Sequence, residues 1–282
     1  QRTASDPCLW VEGVELFSQS TMLVPFEMVH ANYTRPIQPM HGMYPASTNG
    51  LASGNTHLEA ICHALFEVIE RDALAIWDVR TDADQATRRI ELTTVRDDQL
   101  TGLVGQFASA GLECGLWDIT TDNGLPTVLC IVAPSGSEPG HMGLGSGCHT
   151  SRTIAARRAL MEAAQTRLNY ISGSRDDLHA EEYGSRKLTS RVRAARAQLE
   201  SSTPVLDFSS IPSRFHQAMR PELDHTLEAI RRTGLKQAIW VDLMQEALGV
   251  PVARLIVPGL EAPHDDPQYV PGERAMRVAS DG

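Results

Sequence analysis

Two long stretches of the chain carry apolar residues at helical spacing. Over 56–79, Leu58, Ile61, Cys62, Leu65, Ile69, Ala73 and Ile76 recur every three or four positions, the stripe of a helix that faces a core. Thr56 and Glu59 open it as a T-x-x-E capping box. Over 151–171, Ser151 is the expected cap, and Ile154, Ala155, Met161, Ala164 and Leu168 form the expected apolar side. The runs 127–133 and 252–257 are too short for helices and are bounded by prolines, so they read as buried strands. A helix–strand–turn–strand pattern therefore occurs twice, about 125 residues apart. One copy has a helical stretch near 97–110, then Gly111-Leu112, Cys114 to Asp118 and Thr127 to Ala133. The other has a helical stretch near 222–233, then Gly234-Leu235, Gln237 to Asp242 and Val252 to Val257. Asp122-Asn123-Gly124 supplies a hairpin turn in the first copy. Residues 172–190 read as a polar loop, helix resumes near 190–200, and 259–273 reads as a surface loop. The expected fold class is mixed α/β (α+β) with two similar helix–strand–hairpin layers. Internal duplication and chance recurrence of a common unit both fit the pattern.

With 282 residues, 42% hydrophobic and 21% charged, the chain is long enough for a sizeable buried core. A net charge of −10 argues against nonspecific nucleic-acid binding, which needs a basic footprint. The five cysteines, Cys8, Cys62, Cys114, Cys130 and Cys148, include no CxxC pair, so neither a zinc ribbon nor a disulfide framework is indicated. A reducing, cytoplasmic location fits them best. No apolar run is long enough to span a membrane.

The polar positions of the two helices carry the candidate chemistry. Glu59, His63, Glu67 and Glu70 are spaced four, four and three, which stacks them on one face, with Arg71 four after Glu67. Carboxylates aligned in this way repel unless a positive charge lies among them. A hard divalent cation would serve, since Mg²⁺ takes carboxylate and phosphate oxygens together. A solvated acidic face with an intrahelical Glu67–Arg71 pair is the equal alternative. On the second helix, Arg158, Glu162, Gln165 and Asn169 repeat the spacing. Before it, Gly143-Leu144-Gly145-Ser146-Gly147 reads either as a tight turn or as an anion-binding turn into a helix N-terminus. Glu273 and Arg277 lie four apart after Pro271-Gly272.

The stretch Ser47-Thr48-Asn49-Gly50-Leu51-Ala52-Ser53-Gly54-Asn55-Thr56, continued by Glu59-Ala60 and by Phe66-Glu67-Val68-Ile69-Glu70-Arg71-Asp72-Ala73, resembles the central signature of the YcaO family. The resemblance extends in order from about residue 10 to about residue 278. It includes E-x-x-E-R at Glu67, Glu70 and Arg71, E-x-x-Q at Glu162 and Gln165, and E-x-x-x-R at Glu273 and Arg277. Val257-Pro258-Gly259-Leu260-Glu261 is similar to the family's C-terminal part. His63 departs from the serine the family often has four residues before the first Glu of the motif. The family usually has roughly a hundred further N-terminal residues, a subdomain outside this chain.

The resemblance implies an enzyme that uses ATP and Mg²⁺ to phosphorylate the oxygen of a peptide amide, after which a nucleophile displaces phosphate. A substrate side chain gives an azoline; external sulfide gives a thioamide. It assigns Mg²⁺ to Glu67, Glu70 and Glu162, and ATP to Arg71, Gln165, Glu273 and Arg277. Ser146, in the glycine run, joins the ATP set. No general base is singled out. The end of the chain lacks the proline-rich tail usual in azoline-forming members, which points towards the branch that works with a TfuA-like protein. Expected partners are a peptide or protein substrate, a TfuA-like or E1-like protein and a second copy in a homodimer. A silent scaffold that keeps the fold and binds a peptide or partner is the rival reading.

Overall fold

The order of elements follows from where the chain can cap, turn and bury itself. The structure, a computed structural model, describes residues 8–32, 34, 44, 47–135, 141–173, 185–201, 203–262 and 269–281. The chain divides into two compact units. The first comprises 1–75 and 216–274, the second 76–215 and 275–282.

In the first unit, β1 (Trp10–Glu15), β2 (Thr21–Pro25), β3 (Leu51–Ser53), β9 (Ile239–Asp242) and β10 (Val252–Ile256) form one sheet in the order β2-β1-β9-β10-β3. Its strand pairs are all antiparallel. Val24, Val29, Ile239 and Val241 are the buried centre of one face. The helix α1 (His57–Asp78) starts in this unit, and α6 (Met219–Arg232) lies within it. Burial on α1 extends well beyond one stripe: Ala60, Ile61, Cys62, Ala64, Leu65, Phe66, Val68, Ile69 and Asp72 are all buried. Glu67, Glu70 and Arg71 are half-buried polar positions on an otherwise covered rod. That removes the reading of a fully solvated acidic face.

In the second unit, β5 (Leu112–Asp118), β6 (Thr127–Pro134) and β7 (Gly143–Cys148) form an antiparallel sheet, while β4 (Ile90–Glu91) and β8 (Leu206–Asp207) form a short parallel pair. Around them are α2 (Asp82–Thr87), α3 (Asp98–Ser109), α4 (Arg152–Ser172) and α5 (Ser185–Ser201). The last helix, α7 (Glu273–Asp281), begins in the first unit and continues into the second. Ile90, Leu100, Leu116, Val128, Val132, Ala159, Leu160 and Phe208 belong to one buried cluster.

The twofold pattern is present as α3–β5–β6 and α6–β9–β10, one copy in each unit. The glycines that end the two helices, Gly111 and Gly234, have φ of 70° and 88°. The Asp122–Gly124 turn is also present, with Gly124 N–H donating to Thr121 O at 3.0 Å.

Three expectations are corrected. The segment 143–147 is not a turn into a helix but most of strand β7, and α4 begins at Arg152. On α4, Met161 and Leu168 are each 60% exposed and Ala164 is exposed. The buried side is Ala155, Ala156, Ala159, Leu160 and Ala163. Small residues win because the glycines of β7 leave no side-chain layer to fill: a Cβ on Gly143, Gly145 or Gly147 would lie 2.1–2.3 Å from backbone atoms of α4. Helix α5 begins at Ser185, within the loop expected over 172–190 and ahead of the helix start expected near 190; residues 174–184 of that loop lie outside the described residues. Of the loop expected over 259–273, residues 263–268 also lie outside them.

Candidate functional site

The signature stretch folds as an edge strand that feeds a helix. Strand β3 pairs with β10, and Leu255 N–H donates to Gly50 O at 2.7 Å. Gly50 has φ of 78°, and a Cβ there would lie 2.4 Å from Leu255 O, so two independent constraints require glycine. The tight approach aims the Gly50 N–H at Glu67, whose Oε2 accepts it at 3.1 Å. Upstream, Arg254 donates to Ser47 O at 2.7 Å, and Asn49 N–H to Ser47 Oγ at 3.1 Å. The loop is thus anchored from below and oriented towards α1.

Along α1 the carboxylates separate by role. Thr56 Oγ1 accepts the Glu59 N–H at 3.2 Å, which is half of the expected capping box. The Glu59 carboxylate reaches one residue further back than expected. It accepts the Asn55 N–H at 2.8 Å and the Asn55 side-chain amide at 3.0 Å. These bonds, the backbone one first, hold the Glu59 carboxyl below its usual range. Glu59 is therefore occupied as a cap. His63 Nδ1 lies 3.2 Å from Ser53 O, on β3. Glu67 and Glu70 follow further along the helix, one turn apart, with Arg71 4.0 Å from Glu67. That separation is a weak ion pair at half-buried positions, worth well under about 1 kcal/mol.

In the second unit, the glycine strand seats α4 so closely that Glu162 meets the strand's backbone. Its Oε2 accepts Ser146 N–H at 2.6 Å and lies 3.2 Å from Ser146 Oγ. Ser146 thus orients a carboxylate, and its donors are directed at Glu162 rather than at a helix-terminal anion site. Arg158 donates to Cys148 O at 3.1 Å. Gln165 is exposed one turn beyond Glu162, and Glu273 and Arg277 are exposed on α7. Within the first unit the structure brings Glu67 together with Gly50 and Arg71; within the second it brings Glu162 together with Ser146.

Sequence reasoning missed a buried network in the first unit. Arg274 donates Nε to Asp72 Oδ1 at 2.9 Å and a terminal nitrogen to Asp72 Oδ2 at 3.0 Å. Asp72 is fully buried and Arg274 is 6% exposed. Glu261, also buried, donates its backbone N–H to Asp72 at 2.9 Å. Its carboxylate accepts from Gly272 N–H at 2.8 Å, Arg274 N–H at 3.1 Å and Tyr269 OH at 2.7 Å. The available signal was Asp72 itself. It stands three after Ile69 and four before Ile76, a charge on an apolar stripe, which demands a buried partner.

Each unit by itself offers hard carboxylate oxygens of the kind Mg²⁺ takes: Glu67 in the first and Glu162 in the second, each oriented by a backbone N–H. Among the described residues no group of three His, Cys, Asp or Glu side chains forms a metal site by itself. Mg²⁺ is commonly held by one or two carboxylates together with phosphate oxygens and water.

A family model described as YcaO cyclodehydratase, ATP- and Mg²⁺-binding, matches residues 1–261. An uncharacterized protein of Methanothermobacter thermautotrophicus is 34% identical over 263 residues, covering 93% of this chain and 67% of that protein. A protein in the tfuA 3′ region of Rhizobium leguminosarum bv. trifolii is 32% identical over 281 residues, covering 97% of this chain and 66% of that one. The chain thus spans about two thirds of the length of these relatives. Among solved structures, YcaO from Methanopyrus kandleri bound with AMPPCP and Mg²⁺ has the same fold, with a TM-score of 0.73 at 23% identity over 92% of this chain and 66% of that one. A heterocyclase in complex with substrate and cofactor gives a TM-score of 0.78 at 22% identity, over 93% of this chain and 34% of that one. The chain belongs to the YcaO family, whose members bind ATP and Mg²⁺.

Proposed function

We propose that this chain serves an ATP- and Mg²⁺-dependent enzyme that activates a backbone amide of a ribosomally made peptide or protein by O-phosphorylation, leading to a thioamide or an azoline. The observation that carries the reading is the Gly50 N–H held on Glu67 by the signature loop, with Glu70 one turn further along a covered helix. ATP bound there would supply the phosphoryl group that turns the amide oxygen into a leaving group, and a side-chain or external nucleophile would then take its place on the carbon as phosphate departs. In this reading Glu67, Glu70 and Glu162 supply the magnesium oxygens. Arg71 and Arg277 offset phosphate charge, and Gln165 and Glu273 complete the nucleotide shell. Ser146 acts through Glu162. Fixed charges of this kind stabilise a transferring phosphoryl without reorganising during the reaction.

The thioamide branch draws support from the relative encoded beside tfuA. It makes a TfuA-like protein the partner to test first, with an E1-like protein and a second copy of the chain after it. The five cysteines are free thiols, which suits a cytoplasmic enzyme. Among the described residues no helix is long and apolar enough to cross a membrane.

Calorimetry of the full-length protein tests the reading. ATP should bind with Mg²⁺ and lose affinity when the metal is chelated. Glu70→Gln should keep the fold and abolish phosphate release. Metal-independent binding, or unchanged turnover in Glu70→Gln, sinks the proposal.

A further inference from the structure

The proposed reading gives Glu273 to the nucleotide, yet Glu273 opens a helix of nine residues, too short to be stable by its own propensity. Something else must fix its position. Both of its chain neighbours are held by Glu261, whose carboxylate accepts the N–H groups of Gly272 and Arg274. The Arg274 side chain then runs inward to Asp72, two residues after Glu70 and one after Arg71 on α1. Asp72 closes the circuit by accepting the Glu261 N–H.

We infer that the Asp72–Arg274 pair is a positioning device that sets Glu273 relative to Glu70 and Arg71, an inference that rests on the nucleotide reading. Stability alone does not call for an ion pair here. Two buried charges lose their hydration, and a well-packed apolar pair often serves a fold as well or better. What a guanidinium fork on a carboxylate adds is direction: two parallel bonds define a plane and leave little freedom of rotation. The plane is anchored on the residue that follows Arg71, and its other end is the residue that follows Glu273. Asp72 and Arg274 thereby act through their neighbours.

The test compares Arg274→Lys, Glu273→Gln and the double variant in the full-length protein, by calorimetry with Mg²⁺ and AMPPCP alongside thermal melting. Lysine keeps the charge and loses the fork. Should Arg274→Lys fail to fold, the neutral pair Asp72→Asn with Arg274→Gln replaces it, since asparagine still accepts the Glu261 N–H. The expected result is a folded variant that binds AMPPCP about ten-fold more weakly or worse, the scale of one charge-assisted hydrogen bond. The double variant should bind no more weakly than the weaker of its two parents. A lower melting point with unchanged affinity would reduce the pair to a structural role and overturn the inference. Losses that multiply would overturn it as well, because they show Arg274 acting apart from Glu273. If the unaltered protein binds no AMPPCP with Mg²⁺, the nucleotide reading itself falls, and this inference with it.

Discussion

Gly145→Ala is a one-methyl test of how α4 is seated. The new Cβ would stand 2.2 Å from Ala163 N, 2.3 Å from Ala159 O and 2.8 Å from Glu162 C. Ordinary contact begins near 3.4 Å, and the obstacles are backbone atoms that no rotamer change can remove. Relief requires α4 to lift from β7 by about 1 Å. Overpacking of this kind costs about 1–3 kcal/mol. The same lift stretches the 2.6 Å bond from Ser146 N–H to Glu162, a charge-assisted contact worth about 1.5–3 kcal/mol. Together they predict a loss of about 4 kcal/mol, or roughly 7 °C in Tm for a chain of this size. Thermal unfolding followed by circular dichroism reads the first part, and, on the magnesium role proposed for Glu162, calorimetry with Mg²⁺ and ATP reads its displacement. Gly105→Ala is the control. It lies within α3 with nothing inside 4 Å of its Cβ, so it should gain about 0.5–1 kcal/mol. A Gly145→Ala protein that melts with the wild type and binds nucleotide normally would refute the backbone-on-backbone contact.

Further outcomes follow from the same geometry. Gly50→Ala meets both a left-handed φ and the Leu255 carbonyl, so it should destabilise by about 2 kcal/mol or more and weaken Mg²⁺-dependent ATP binding together, measured by melting and calorimetry. Burial, reinforced by Glu222, Asp224 and Glu59, pushes the Cys62 thiol up to about 12, so native protein at pH 8 should leave Cys62 unalkylated by iodoacetamide while urea exposes it, as peptide mass mapping would show. Burial tends to raise the Glu15 carboxyl, but bonds from the Ser18 hydroxyl and the N–H groups of Phe17, Ala238 and Ser18 outweigh it and lower it below 4.5. The unfolded chain therefore binds the proton first on acidification. The Glu15 contribution is complete above its unfolded value and is lost as pH falls through the depressed folded one, so Glu15→Gln should flatten acid denaturation in that window.

Much of this was legible in the sequence where a local rule governed. The spacing on α1 gave its bounds to within a residue, because a long apolar period leaves few alternatives. The prolines around β6 and β10 marked buried strands. What misled was composition without context. The glycines at 143–147 look like a turn because glycine permits one, but their alternation serves a helix that approaches from across the sheet. Met161 and Leu168 look like core because they are large, yet they stand on the exposed side of α4, and it is the alanine-rich side that faces the glycine strand. The strands β1 and β2 carry exposed Trp10 and Leu23, which blur the two-residue alternation that would have revealed them. For the candidate site, the motifs singled out Glu67, Glu70 and Glu162, but they could not show that Gly50 and Ser146 orient two of these carboxylates. Those contacts span 17 and 16 residues and depend on tertiary approach.

The Asp72–Arg274 pair also imposes a chronology on synthesis. Its partners are 202 residues apart in the chain, and β1 and β3 likewise wait for β9 and β10. The segment 76–215 carries all of the second unit except 275–282, with its strands and helices α2 to α5, so most of that unit can form while the first is still half made. Residues 1–75 must remain available meanwhile, with Asp72 lacking its arginine until position 274 has been added. The acidic helix is therefore locked in place only once position 274 has been added, and a chain interrupted before that point leaves α1 unlatched.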